Sequence, residues 1–318
     1  MSTSLTKKGL VTAADKYIIA ARPALEIIKN FTTNFSSEAV KPGTGVVVDV
    51  VKAAAETFVK DTANYTHVTN TCKPVTVAAD IRKKSTFSLD DLDCIEDETA
   101  AALAGNAVAA GRSVGIELVK SVTAKLTYTN RLAALTLTGS TLADFFKLRG
   151  GVEKGSSGTW DGFDPASCVL LLEPDTYSTL CSVLNAGIVG DGSVVRGAII
   201  GQALGFKAVY SAPTITTVSG TSSGTDVTKG KGFIVPDNAI AVVNRVVKPA
   251  KGVAGNLIEY GEYTDEVSGI TITQRVVLDA SNGEVFWTTE GLFGSKLTRE
   301  VASGTANGAP GYLQIVVS

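Results

Sequence analysis

The sequence predicts an α+β protein, and three stretches carry that expectation: an alanine-rich amphipathic run at 99–125, an unbroken apolar run at 168–172, and an alternating pattern at 270–288. In the first, Leu103, Ala107, Ala110, Val114, Leu118 and Val122 recur three or four residues apart, which is one stripe along a helix. Cys168, Val169, Leu170, Leu171 and Leu172 leave no polar position, as in a strand covered on both faces. Ile270 and Ile272 alternate with threonines, residues 279–283 (DASNG) supply turn chemistry, and 285–288 answers as the second strand of a hairpin.

The remaining elements follow in order. Residues 13–31 read as a helical arm that Pro23 should break or kink. The chain turns at 42–45 (PGTG) and enters a strand in which Val46, Val48 and Val50 share a face. A second strand-rich stretch covers 65–87, where Val75 and Val77 flank Thr76 and Arg82, Lys83 and Lys84 follow. Together these suggest a long two-stranded excursion. Ser88 and Asp90 offer N-cap oxygens for the alanine-rich helix, and Asp91, Asp93, Glu96, Asp97 and Glu98 crowd its entry, where the helix dipole favours negative charge. The alanines and glycines of that helix imply close packing against a sheet.

Residues 133–250 read as mixed α/β: a short helix at 141–148, a Gly/Ser loop at 150–162, the strand at 168–172, and a helix at 176–184 entered through Glu173-Pro174-Asp175. Strands follow at 206–210 and 240–247, with a polar, low-complexity loop at 214–232 between them. From Leu257 onward the pattern is β. No repeat is visible.

The totals narrow the function classes. At 318 residues, one or two substantial domains are expected. A hydrophobic content of 44% and a mean hydropathy of +0.21 argue for a packed core and against disorder. With 29 Lys and Arg against 31 Asp and Glu, the net charge is −2, which does not suit a dedicated nucleic-acid reader. Cys72, Cys94, Cys168 and Cys181 form no C-x-x-C pair and read as thiols of a reducing compartment. The apolar run after Lys7 and Lys8 is too short for a secretory signal, which leaves the sequons at Asn30, Asn34 and Asn64 without weight. No run approaches the length of a membrane span.

Catalytic patterns fail on inspection. His67 is the single histidine, too few for a triad partner in the right place or a zinc site. Residues 220–224 spell G-x-S-x-G around Ser222, but no apolar strand precedes them and no histidine follows. Gly230-Lys231 lacks the hydroxyl residue and the first glycine of a phosphate loop. Gly197, Gly201 and Gly205 carry G-x-x-x-G spacing, read here as tight turns or close backbone approach. The acids at 90–98 are explained by helix entry. No catalytic, cofactor-binding or metal-binding residue is expected, and no cofactor.

The order of segments carries a resemblance. Residues 83–115 (KKSTFSLDDLDCIEDETAAALAGNAVAAGRSVG), with Phe87, Leu89 and Leu92 at the apolar positions, resemble the junction in tailed-bacteriophage coat proteins where the extended loop returns and the long spine helix begins. Residues 163–184 resemble the family's apolar strand, proline turn and helix, and 192–213 its glycine-punctuated connection. Residues 267–297 are similar to its closing β-ribbon, where the family's habitual aromatic or leucine followed by Phe-Gly or Tyr-Gly appears as Leu292-Phe293-Gly294. The stretch before residue 45 and the 214–232 loop have no match. This fold, shared with encapsulins and the herpesvirus capsid floor, implies an N-terminal arm (1–44), an extended-loop region (45–97), a peripheral domain with the spine helix (98–132), an axial domain (133–250) and a peripheral β-ribbon with the C-terminus (251–318).

The resemblance implies a non-enzymatic major capsid protein, located in the virion and assembled in the host cytoplasm. Copies would associate as hexamers and pentamers of an icosahedral shell around double-stranded DNA, which they would meet only by non-specific proximity. Scaffolding, portal and decoration proteins are the further partners the family offers, and no membrane is involved. Some relatives cross-link a loop lysine to a neighbour's asparagine. Lys73, Lys83 and Lys84 stand in that segment, but no motif marks the asparagine, so the sequence assigns no cross-link either way, and their simpler role is to solvate a strand edge. The alternatives are an encapsulin-type compartment shell and, from other classes, a serine hydrolase using Ser222 or a surface-layer protein.

Overall fold

Helical spacing of Tyr17, Ala21, Leu25 and Ile28 gives the first element a continuous apolar face, and all four are buried in a helix, α1 (Thr3–Lys29). The computed structural model describes residues 3–51, 72–89, 96–126, 131–155, 162–187, 204–211, 230–247, 257–266, 269–279, 284–298 and 313–317. The expected break at Pro23 is absent: α1 runs through it. Proline removes one hydrogen bond, and the burial of Leu25, Ile27 and Ile28 just beyond it holds the next turn in place.

The chain continues through β1 (Thr32–Ala39), β2 (Gly45–Val51), β3 (Cys72–Ala78), β4 (Ile81–Leu89), α2 (Glu96–Thr123), β5 (Ala133–Leu137), α3 (Leu142–Lys154), β6 (Cys168–Leu172), α4 (Pro174–Gly187), β7 (Ala208–Ser211), β8 (Gly230–Pro236) and β9 (Ile240–Val246). It closes with β10 (Leu257–Thr264), β11 (Thr271–Asp279), β12 (Glu284–Leu297) and β13 (Leu313–Val317). The fold is α+β.

Several local expectations shift. Ser88 lies in β4 and does not cap α2, which starts at Glu96. Lys154 ends α3, so the helix takes in the first glycines of the expected 150–162 loop. Its entry is a capping box in which Thr141 and Asp144 satisfy each other's backbone amides. Hydrogen bonds from Thr141, and then Lys147, hold the Asp144 carboxyl down at about 2. Because the folded value lies below the ordinary one, this contribution is present above about pH 4 and is lost as the pH falls through 2. Asp144→Asn is therefore expected to flatten the stability profile between those values, measured as urea midpoints across pH.

A six-stranded sheet has the order β1-β9-β12-β11-β10, with β4 on the other side of β12. The long β12 makes this possible: its residues 285–293 pair β4 along one side, while 284–290 pair β11 and 292–297 pair β9 along the other. Where β9 succeeds β11, the buried Asn244 side chain donates to the carbonyls of Thr271 and Leu292 and accepts from the Thr271 amide. A second, five-stranded sheet has the order β5-β13-β8-β6-β7. Strand β9 belongs to the first sheet and β13 to the second. Sheet pairing, which sequence position does not reveal, decides both.

The main core lies between the sheets. It joins α1 and α2 to Ile240, Val242, Ile272 and Phe293 of the first sheet and to Val169, Leu171, Phe233 and Val235 of the second. The opposite face of the second sheet (Cys168, Leu170, Leu172, Ile234) packs on Phe145, Leu148 and Val152 of α3 and Leu180 of α4. All five residues of β6 are therefore buried, each large side chain contributing roughly 1.5–3 kcal/mol.

Two elements pack on the rest of the chain among the described residues, while residues 52–71, the far part of the expected excursion, lie outside them. The first is α1, which lies along α2. A Cβ at Gly111 would fall 2.2 Å from the Tyr17 carbonyl oxygen, and one at Gly115 3.0 Å from the Ala24 Cβ. Gly111 and Gly115 thus face a helix, not a sheet. The second is the ribbon of β2 and β3, whose Val46, Val48, Val50, Val75 and Val77 pack on Ala241, Val243 and Leu292. Gly294 serves the same docking, since a Cβ there would meet the Ala78 carbonyl oxygen at 2.1 Å. The physical reason is shared: each carries a full apolar face, and its own sheet or helix is the nearest surface that can cover it.

Candidate functional site

The groups singled out for chemistry are scattered. The Cys168 thiol is buried in β6, and burial pushes it up to about 12, the environment of a core side chain rather than a nucleophile. Cys181 is a half-buried free thiol on α4. Lys231 donates to Glu173 at 2.9 Å from the start of β8, so the Gly230-Lys231 pair sits in a strand and forms no phosphate-binding turn. Among the described residues, no group of three or more His, Cys, Asp or Glu could hold a metal ion, and no helix is long and apolar enough to cross a membrane. His67, Cys94, Ser222, Gly197 and Gly201 lie outside the described residues, while Gly205 closes a turn with φ +73° before β7.

The charged groups instead organise the sheet surfaces. Lys83 reaches Glu117 of α2 at 3.5 Å, and Lys120 holds the same carboxylate at 2.8 Å. Those hydrogen bonds, Lys120's first, pull the Glu117 carboxyl below its ordinary range. Lys84 is exposed on the opposite face of β4, and Lys73 stands opposite Val50 in the ribbon.

The strongest ionic feature went unnoticed in the sequence. Glu290 of β12 has a fully buried carboxylate beneath Arg82 of β4 and Arg275 of β11, both of which donate to it, Arg82 Nη2 at 3.0 Å. Burial, and then Arg82 beside it, lowers the Arg275 guanidinium. The signal available in advance was one acid in an otherwise uncharged run, 285–295, with arginines on two other predicted strands. Which strands would flank it was not available.

Further ties fix α1 between the lobes. Arg22 donates to the buried Asp265 at 2.9 Å. Lys207 donates to the carbonyl of Asn30 at 3.2 Å and to Asp237 at 3.3 Å, while Asn30 donates to the Tyr210 hydroxyl at 3.0 Å. What this arrangement offers is surface: a ribbon laid on one lobe, two sheets with open borders, and no convergent reactive groups among the described residues.

No family model matches the chain, and no curated protein matches it. Among solved structures, the chain is similar to the asymmetric unit of the bacteriophage PhiM1 mature capsid, at 12% identity and a TM-score of 0.46 over 91% of this chain and 86% of that chain. It is likewise similar to the capsid structure of the cyanophage P-SCSP1u, at 12% identity and a TM-score of 0.45 over 91% and 86%. A structure from Microbacterium phage Oxtober96 is similar at 14% identity and a TM-score of 0.48 over 92% and 90%.

Proposed function

We propose that this chain is a major capsid protein of a tailed bacteriophage, a subunit that assembles into the icosahedral head around double-stranded DNA and performs no reaction. One observation carries the reading: the chain interleaves two lobes in the order that a coat protein needs. It lays down a ribbon, then the 28-residue helix α2, then leaves to build the five-stranded lobe with α3 and α4. It returns at β9 to complete the six-stranded sheet. In this reading α1, α2 and the six-stranded sheet are the peripheral domain, the five-stranded lobe is the axial domain, and the 45–97 stretch is the extended-loop region. Repeated contacts of modest strength then suffice, because a closed lattice multiplies them.

Negative-stain microscopy of the purified protein tests the proposal. Closed shells or polyheads are expected, and a stable monomer under all conditions overturns it. Particles holding protein cargo and no genome when isolated from the native host would favour the encapsulin-type alternative.

A further inference from the structure

In the lower half of the six-stranded sheet, four strands run antiparallel in the order β4-β12-β11-β10. Among the described residues no strand pairs with the outer side of β4 or of β10, so both are borders. Their charges are opposite. Border β4 (IRKKSTFSL) carries Arg82, Lys83 and Lys84 and no acid, whereas β10 (LIEYGEYT) carries Glu259 and Glu262 and no base. The register aligns them. Lys84 is paired with Glu290, Glu290 with Thr273, and Thr273 with Glu262, so Lys84 and Glu262 end one cross-strand row on one face. Both are exposed, and Glu262 accepts a hydrogen bond from Tyr260 at 2.9 Å.

We propose that β10 of one copy pairs with β4 of the next, continuing the sheet from subunit to subunit with Glu262 opposite the neighbour's Lys84. The strand senses permit it: β4 and β10 run in opposite directions, so a copy shifted sideways presents the antiparallel partner. Thr264 then falls opposite Arg82 and Tyr260 opposite Thr86. An exposed strand border is a ready template for pairing, and charge normally guards it against unwanted partners. Here each border's charge repels its own kind and attracts the other, which selects the head-to-tail contact over β4–β4 or β10–β10 pairing. A contact between unlike borders is heterologous and propagates around a ring or across an array. The inference rests on the shell reading and specifies one of its contacts.

Charge reversal tests it, with particle yield read by sedimentation and negative stain and folding checked by thermal melting. Lys84→Glu and Glu262→Lys are each expected to lower particle yield roughly tenfold or more, because every copy repeats the repulsion. The double variant Lys84→Glu, Glu262→Lys restores an opposite pair and is expected to recover to within about twofold of wild type. The neutral pair Lys84→Gln, Glu262→Gln, which creates no repulsion, serves where a reversal disturbs melting and is expected to give an intermediate yield. Wild-type yield from the reversals, or a double variant as poor as the singles, overturns the border contact while leaving the shell reading intact. A wild-type chain that never leaves the monomer peak overturns both.

Discussion

Replacing Glu290 by alanine is expected to destabilise the protein by about 3 kcal/mol, because it strands two guanidinium groups that share one buried carboxylate. The side chain of Glu290 is 0% exposed, that of Arg275 16%, and that of Arg82 44%. Arg275 therefore bears most of the loss: its Nε already lacks a hydrogen-bond partner, and water cannot readily replace the carboxylate. Arg82 can turn toward solvent, which keeps the figure at the lower end of the usual range for a broken buried pair. Glu290→Gln keeps the shape but not the charge and should fall between the two. The check is the urea midpoint with the m-value held constant. A shift below about 0.5 kcal/mol would show that the triad is dispensable to the sheet. Replacing all three residues with apolar ones of similar volume should recover much of the loss, since desolvating the ions is itself costly.

What could be read in advance follows how local each cause is. The strand at 168–172 and the stripe from Ala107 to Val122 were legible because burial on both faces, or along one helical line, writes itself into adjacent residues. Strand β1 was not legible. Its TTNFSSEA is polar, and it is a strand only because Thr32 to Phe35 pair in parallel with 241–244 of β9. The start of β8 was hidden for the same reason: Gly230, Lys231 and Gly232 look like loop and are held by β13 and β6. At the candidate surfaces, Lys83 and Lys84 were readable as guards of a strand edge, and β4 is a border. That Glu262 ends the same row was unreadable, because the row passes through strands far from β4 in the sequence. Length and amphipathicity reveal an apolar face on the ribbon and on α1, but not which surface will cover it.

The helix pair supplies the second large effect. Gly111→Ala is expected to cost about 1–3 kcal/mol, because the new Cβ would sit 2.2 Å from the Tyr17 carbonyl oxygen. That oxygen belongs to helical backbone and cannot swing aside as a side chain would, so α1 must shift as a body. Because α1 also packs between the sheets and is tied to Asp265 through Arg22, the displacement reaches both lobes. Gly115→Ala meets the Ala24 Cβ at 3.0 Å and should cost less. Gly105→Ala is the control: nothing lies within 4 Å, and removing a glycine from a helix should leave stability unchanged or raise it by up to about 1 kcal/mol. The expected order of melting temperature is therefore Gly105→Ala at or above wild type, then Gly115→Ala, then Gly111→Ala. Limited trypsin digestion supplies a second reading, because α1 carries Lys16 and Lys29 and should be cut sooner where it is loosened. If Gly111→Ala melts with wild type and is cut no faster, α1 is not seated on α2 in the protein, and its residues are free to serve as the outreaching arm that the sequence first suggested.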